Sequence, residues 1–104
     1  KKLVEHQLVQ LAIAEMNMLT EALRSFVLRV AWEHDQGSRS ANGVLMVNYS
    51  TDVVLKVTRL NMDIHGALGC RSNPRVDKLV RDAMIWCHLA GDSNLRLKAF
   101  SKLN

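Results

Sequence analysis

Residues 61–97 read NMDIHGALGCRSNPRVDKLVRDAMIWCHLAGDSNLRL, and this stretch decides the fold. We predict that a helix ends at Gly66, because glycine readily adopts the left-handed conformation that stops a helix. A turn follows, and Asn73 with Pro74 opens a new helix, since asparagine caps helices and proline fits their first turn. Gly91 then breaks the chain before a last helix. Two helix N-termini therefore lie close together in the sequence, which suits a phosphate-bearing ligand because free N–H groups point towards it.

The segment from residue 3 to about residue 34 is predicted to be one long helix, because it contains no glycine or proline. Its apolar residues recur at steps of three and four and so form one stripe. The stripe consists of Val9, Ala12, Met16, Leu19, Leu23, Phe26 and Val30. A second apolar set lies off the stripe and consists of Val4, Leu8, Leu11, Met18 and Ala22. This helix is either central in a bundle or meets another domain or subunit.

The polar turn 35–43 leads to a second long segment, from about residue 44 to residue 65. Its many β-branched residues make a pair of strands the alternative. A helix is favoured because no breaker interrupts a stretch that is too long for a typical strand. The apolar residues also step by three or four, at Met46, Tyr49, Val53, Val57, Leu60 and Ile64.

Two shorter helices complete the predicted fold, from residue 74 to about 84 and from about 92 to 102. The residues predicted to face inward are Val76, Leu79, Val80, Ala83, Leu95, Ala99, Phe100 and Leu103. The sequence therefore predicts an all-α fold, a four-helix bundle of two long antiparallel helices with two shorter ones packed on them. Residues 1–104 would form a single helical domain, since a chain of this length holds one core.

Composition narrows the classes of function. The net charge of +4 is mild and the basic residues are interspersed with acidic ones, so no nucleic-acid partner is expected. No apolar run approaches the ~20 residues that span a bilayer, so no membrane partner is expected. Cys70 and Cys87 form no Cys-x-x-Cys pair, and the charged, cysteine-poor chain gives no sign of secretion. The sequence leaves the compartment open between the cytoplasm and the mitochondrial matrix. Lys1 lies inside a helical pattern without an initiator methionine, which indicates a C-terminal fragment of a longer chain.

Neither a metal site nor a cysteine nucleophile is expected. No two histidines stand four residues apart on a helix, and no cluster has zinc-like spacing. Cys87 and His88 are neighbours in sequence, and adjacent helical residues do not face each other. Trp32 and Trp86 are expected to be core or interface anchors.

Several motifs, in this order, resemble the C-terminal helical domain of acyl-CoA dehydrogenases. Residues 2–7 are similar to the family's Lys-x-Leu-x-x-His-Gln segment, and residues 31–33 fall where its first long helix ends. Residues 64–69 resemble its Gly-Gly-x-Gly turn. Residues 73–83 resemble its Pro-led helix with Leu-x-Arg-Asp-Ala, and residues 89–94 its Glu-Gly-Thr stretch. The resemblance covers essentially the whole chain.

The resemblance implies a flavoprotein. Enzymes of this family bind FAD, remove a proton α to the thioester of an acyl-CoA, pass a hydride from the β carbon to the flavin and reduce an electron-transfer acceptor. Their C-terminal domain packs the oligomer, a homodimer, homotetramer or heteromer, and contacts the ADP half of FAD, partly in a neighbouring subunit. Positions that match the cofactor contacts are His6, Gln7, Asp63, Ile64, His65, Gly66, Ala67, Asp92, Ser93 and Asn94. Positions that match substrate contacts are Gly91 and Lys102.

The chain departs from the family pattern at several of these positions. The usual catalytic base is Ala90 here, which accepts no proton, so no catalytic residue is expected in this segment. Ala67 replaces a glycine, Asp63 replaces a glutamine and Asp92 replaces a threonine. A carboxylate ~4 Å from a pyrophosphate would be unfavourable by about 4 kcal/mol at an effective dielectric constant of ~20. The family's Arg-x-x-Phe-Gly segment, expected before Lys1, is not in the sequence.

Three hypotheses within the family follow. The parent protein is a working dehydrogenase with its base on an upstream helix, a flavin monooxygenase of the same fold, or a structural, flavin-poor subunit of a heteromeric dehydrogenase. Outside the family, the alternative is a helical interaction module. We expect the 104 residues alone neither to hold flavin tightly nor to oxidise acyl-CoA, because the platform for the isoalloxazine ring is missing.

Overall fold

Four helices make up the part of the chain that the computed structural model describes: residues 6–38, 40–67, 74–90 and 92–103, with the backbone alone at residues 67 and 92–95. They are α1 (Gln7–Asp35), α2 (Asn42–Ala67), α3 (Pro74–Leu89) and α4 (Asp92–Leu103). These ranges contain no strand. The predicted all-α class is therefore confirmed, and the alternative of two strands in the second long segment is wrong.

Two predicted helix ends are wrong. α2 continues through Gly66, which does not adopt the left-handed conformation. Glycine permits that conformation without requiring it, so the helical hydrogen bonds extend over this residue. The left-handed glycine is Gly37, with φ 77°, just after α1. α3 runs beyond Met84 to Leu89, because no breaker interrupts it.

α1 and α2 form an antiparallel hairpin. The Glu15 carboxylate on α1 lies 2.8 Å from Lys56 Nζ on α2. The ring centroids of Phe26 and Tyr49 are 6.3 Å apart. Residue numbers therefore fall along α2 as they rise along α1. The predicted stripe of α1 is buried or half-buried along its whole length, so this prediction is confirmed.

α2 is the central helix, because it contacts all three of the others. Among the described helices α1 contacts α2 alone, so the expectation of α1 as a central bundle helix is wrong for this part of the chain. The buried apolar side chains come from every helix and the turn before α2, and they are Val9, Ala41, Val53, Val76, Ala83 and Ala99. The two shorter helices thus pack on the hairpin through α2.

Three residues predicted to face inward are exposed instead. Phe100 is 66% exposed, and Leu103 and Leu79 are also largely exposed. A short helix buries one stripe, and in α4 the buried member is Ala99. Adjacent residues project about 100° apart on a helix, so a contact centred on Ala99 leaves Phe100 at the edge of that face. Leu95 was also predicted to face inward, and its side chain lies outside what the structure describes.

The second apolar side of α1 has no partner among the described residues. Leu8 is 81% exposed, Met18 is 70% exposed, and Leu11 and Ala22 are exposed beside them. We call Leu8, Leu11, Met18 and Ala22 the outer face of α1. Trp32 is 64% exposed and is therefore not a core residue.

Glu33 closes the turn between α1 and α2. Its carboxylate accepts hydrogen bonds from Ser40 Oγ at 2.7 Å, from Asn42 Nδ2 at 2.8 and 3.1 Å, and from Arg29 Nε at 3.0 Å. We call these contacts the Glu33 clasp. The hydrogen bond from Ser40 and then that from Asn42 hold the pKa of Glu33 below its ordinary value, because they stabilise the ionised carboxylate. The clasp ties the end of α1 to the start of α2.

We expect Glu33→Gln to lower the Tm at neutral pH. A glutamate whose pKa is lowered in the folded state contributes stability above its unfolded pKa, and this contribution is lost as the pH falls through the folded pKa. The difference in Tm between wild type and variant should therefore shrink below about pH 4. Thermal unfolding followed by circular dichroism between neutral and acidic pH measures it. Glu21→Gln is the control, since Glu21 has only a 3.8 Å ion pair with Arg24. A difference that stays constant with pH would contradict the assignment.

Candidate functional site

The hairpin brings two of the expected cofactor segments to one end of the domain. Ile13 of α1 and Ile64 of α2 line the same groove, which has a volume of about 320 Å³. Because the helices are antiparallel, the start of α1 lies near the end of α2. His6 and Gln7 are exposed at that end on α1, and Asp63 is exposed there on α2. We call this region the hairpin end.

The start of α1 offers hydrogen-bond donors at the hairpin end. His6 precedes the helix in an extended conformation and makes no side-chain capping hydrogen bond, and the first turn contains no acidic residue. Within the described residues, the first helical hydrogen bond of this turn runs from the Gln10 N–H to the His6 carbonyl, at 3.0 Å. The earlier N–H groups of a helix have no intrahelical partner, and the positive end of the helix attracts anions. This end of α1 therefore suits an anionic group.

The end of α2 adds one oriented side chain and one open position. His65 Nδ1 lies 2.9 Å from the Asn61 carbonyl oxygen, and because a carbonyl only accepts, Nδ1 donates. The neutral ring then presents Nε2 as an acceptor. A Cβ at Gly66 would meet no atom within 4 Å, so a ligand could approach the backbone there. Ile64 is half-buried in the seam between the helices, which makes it a packing residue.

The third expected segment meets α2 elsewhere. Asp92, Ser93 and Asn94 begin α4 as predicted, but their side chains lie outside the described ones, as does the expected capping role of Asp92. One turn later, Arg96 Nη2 donates to Asp52 Oδ1 at 2.6 Å. Asp52 lies about 16 Å, or three helical turns, before the end of α2 that carries the other cofactor positions. Arg96, one turn after the third segment, is therefore joined to α2 about three helical turns from the hairpin end.

The remaining expected positions are spread over the end of α3 and over α4. Lys102 is exposed in the last turn of α4. Gly91 lies outside the described residues, and Ala67 is described only as the last backbone position of α2. Ala90, the family's base position, is half-buried. Its methyl group accepts no proton, so this position has no general base.

Two contacts that the sequence did not predict attach the end of α3 to α2. Trp86 Nε1 donates to Ser50 Oγ at 3.0 Å, and Cys87 Sγ lies 3.8 Å from the Thr51 carbonyl oxygen. The Ala90 N–H then donates to the Trp86 carbonyl at 2.8 Å. These contacts join the end of α3, just before Ala90, to the central helix. The only signal for them was the indole N–H, which finds a partner when it is partly buried.

The groups at the hairpin end suit an anionic ligand such as a phosphate. At this end α1 begins without a side-chain cap from His6, and His6 and Gln7 are exposed. Asp63 is exposed at the same end and is unfavourable for an anion. In the described ranges no group of three or more His, Cys, Asp or Glu side chains could hold a metal ion. None of the described helices is long and apolar enough to cross a membrane.

A second groove lies towards the other end of the hairpin. It has a volume of about 490 Å³ and is lined by Ala22, Ser25, Phe26, Arg29 and Tyr49. Ala22 belongs to the outer face of α1, so the groove opens beside that face. We call it the outer groove. Its position separates it from the residues expected to contact the cofactor.

Two comparisons with known proteins point to the same family. The family model described as "Acyl-CoA dehydrogenase, C-terminal domain" matches residues 1–102. Cyclohexane-1-carbonyl-CoA dehydrogenase of Geobacter metallireducens is 30% identical over 84 residues, which cover 80% of this chain and 22% of that protein. The chain thus spans about a fifth of the length of this relative. No solved structure gives a significant match.

Proposed function

Because the chain belongs to the acyl-CoA dehydrogenase family, whose C-terminal domain it represents, we propose that its parent protein is an FAD-dependent enzyme that dehydrogenates acyl-CoA thioesters between the α and β carbons. The observation that carries the proposal is the family match over residues 1–102. The donors at the hairpin end support it, because they suit the diphosphate of the cofactor. The relative from Geobacter is named for an alicyclic acyl-CoA, so substrates of that class belong among those tested.

The chain's part in cofactor binding follows from the chemistry of the hairpin end. FAD supplies the hydride acceptor when it is bound. The first turn of α1 and the side chains of His6 and Gln7 donate hydrogen bonds to the anionic half. His65 Nε2 accepts from a hydroxyl or amino group, because Nδ1–H is engaged by the Asn61 carbonyl. Asp63 weakens the binding of an anion.

We infer that the start of α4 serves a cofactor held mainly by another copy of the chain. Arg96 joins α4 to Asp52, about three helical turns from the hairpin end. Asp92, Ser93 and Asn94 therefore belong to a different part of the surface from His6 and Gln7. A site shared between subunits brings such separate segments onto one ligand.

The outer face of α1 supports association of the parent into a homodimer or homotetramer. Exposed large apolar side chains such as Leu8, Leu11 and Met18 are unfavourable in water, and a contiguous patch of them marks an interaction site. The outer groove beside them is a concave surface that a protruding side chain of a further copy can fill. A heteromeric partner would use the same surface.

Specific observations also favour an alternative, a structural, flavin-poor subunit of a heteromeric dehydrogenase. Ala90 has no proton acceptor, and Asp63 opposes the anionic half of the cofactor. A flavin monooxygenase of the same fold would also need no carboxylate at position 90. We favour the dehydrogenase with its base on another helix, because the chain spans only about a fifth of the length of its dehydrogenase relative.

The test of the proposal is single-turnover reduction of flavin in the intact parent protein by a panel of straight-chain, branched and alicyclic acyl-CoAs. The proposal expects bound FAD, reduction by at least one acyl-CoA and reoxidation by an electron-transfer acceptor. Ala90→Glu should create or raise this activity, since it places a carboxylate at the family's base position. Asp92→Asn should leave the chemical step nearly unchanged.

Each contrary outcome selects a different hypothesis. A large loss of rate in Asp92→Asn, with flavin content and fold unchanged, would make Asp92 the base. Purification without flavin, in a stable complex with a second flavoprotein, would favour the structural subunit. Bound flavin that no acyl-CoA reduces would favour the monooxygenase.

Asp63→Asn should tighten FAD binding in the intact protein. Removing an exposed negative charge near a diphosphate lowers repulsion, and because solvent screens exposed charges we expect a decrease in Kd of up to about fivefold. Titration of apoprotein with FAD, followed by flavin fluorescence, gives the Kd. Asp77→Asn is the matched control, because Asp77 is exposed in the first turn of α3, and it should leave the Kd unchanged. An unchanged or weaker affinity in Asp63→Asn would remove Asp63 from the cofactor site.

Met18→Glu should dissociate the oligomer of the intact protein. A charge at the centre of an apolar interface cannot be buried without a partner. Light scattering at micromolar concentration would report the mass of each species. Gln10→Glu adds a charge on the same helix outside the outer face and should leave the mass unchanged. A wild-type protein that is already monomeric would contradict the proposed role of this face.

A further inference from the structure

The start of α2 carries the dipeptide Asn42-Gly43. The backbone nitrogen of the residue after an asparagine can attack the side-chain amide carbon, and glycine hinders this attack least because it has no Cβ. No other asparagine in the chain precedes glycine. Asn17 and Asn61 precede methionine, and Asn48 precedes tyrosine. Asn42 is therefore the asparagine whose sequence favours loss of the amide group.

The folded turn holds Asn42 in an unreactive state. Its Nδ2 donates to both oxygens of Glu33, at 2.8 and 3.1 Å. Its backbone N–H donates to Ser40 Oγ at 3.3 Å. Asn42 is also the first residue of α2, and a helical backbone keeps the next nitrogen away from the side-chain carbon. The attack requires the Glu33 clasp and the first turn of α2 to open.

We propose that Asn42 is a site of spontaneous deamidation and that the Glu33 clasp controls its rate. When the turn opens, the Gly43 nitrogen bonds to Asn42 Cγ, the Cγ–Nδ2 bond breaks, and the amide leaves as ammonia with the proton from the Gly43 N–H. Water then opens the resulting succinimide at either carbonyl, which yields aspartate or isoaspartate at position 42. The net reaction is hydrolysis of an amide to a carboxylic acid and ammonia, and it needs no enzyme, oxidant or reductant.

The product cannot restore the clasp. A carboxylate at position 42 places an acceptor where Nδ2 donated, so two like charges face each other across the turn. Isoaspartate also inserts a methylene into the backbone at the first turn of α2. Deamidation is therefore an irreversible loosening of the connection between α1 and α2, at the end of the hairpin opposite the expected cofactor residues. This inference does not depend on the proposed function.

The test is peptide mapping by mass spectrometry of the intact parent protein, aged at physiological temperature and mildly alkaline pH. The fraction of aspartate plus isoaspartate at position 42 should rise with time, while Asn17 and Asn61 in the same sample stay unchanged. Glu33→Gln should accelerate the reaction at position 42 by at least about threefold, because it removes charge-assisted hydrogen bonds that keep the turn closed. Gly43→Ala should slow it strongly, because the added Cβ hinders the attack by the backbone nitrogen. The added Cβ would lie 4.0 Å from Val30 Cγ1, an ordinary contact, so this control keeps the fold.

Equal deamidation rates at position 42 in wild type and Glu33→Gln would overturn the proposal that the clasp controls the rate. A rate at position 42 no higher than at Asn17 and Asn61 in any variant would overturn the site itself. Ser40→Ala removes a single hydrogen bond of the clasp, so we expect it to accelerate deamidation less than Glu33→Gln does. It decides the question if Glu33→Gln does not fold. Asn42→Asp, which mimics one product, should lower the Tm, and an unchanged Tm would overturn the proposed loosening.

Discussion

Burial of apolar side chains against α2 is the constraint on which the rest of the structure depends. α1, α3 and α4 each contribute buried apolar side chains, and each of these helices contacts α2. The hydrophobic effect provides the largest favourable term in folding, so removal of α2 would leave the other helices without a common surface. The antiparallel path of α1 along α2 also determines the candidate site, because it brings the start of one helix beside the end of the other.

The spacing of apolar residues predicted much of this fold, because a helix that packs along one neighbour buries one stripe of side chains. In α1 the steps of three and four select a face, and that face is the buried one. In α4 the pattern failed, since Ala99 and Phe100 are adjacent and only contact with α2 decides which one is buried. The Glu33 clasp also escaped prediction, because its partners Ser40 and Asn42 lie across a turn and follow no period. Gly66 shows that a residue able to end a helix need not do so.

Motifs identified the candidate site residues, and packing determines which of them can act together. The hairpin places His6 and Gln7 at the same end of the molecule as the end of α2. The salt bridge from Arg96 to Asp52 joins α4 to α2 about three helical turns from that end. In the proposed shared site, segments that are distant within one chain would meet on one ligand when a second copy is added. Under the same proposal, the exposed outer face of α1 would provide the surface for that copy.

The measurement that tests this account most directly is hydrogen exchange of the intact parent protein with and without FAD. The account predicts added protection in the first turn of α1, at the end of α2 and at the start of α4, with little change in the turn that contains the Glu33 clasp. Protection that omits the first turn of α1 and the end of α2, or no response to FAD anywhere in these helices, would contradict the assignment of the hairpin end to the cofactor.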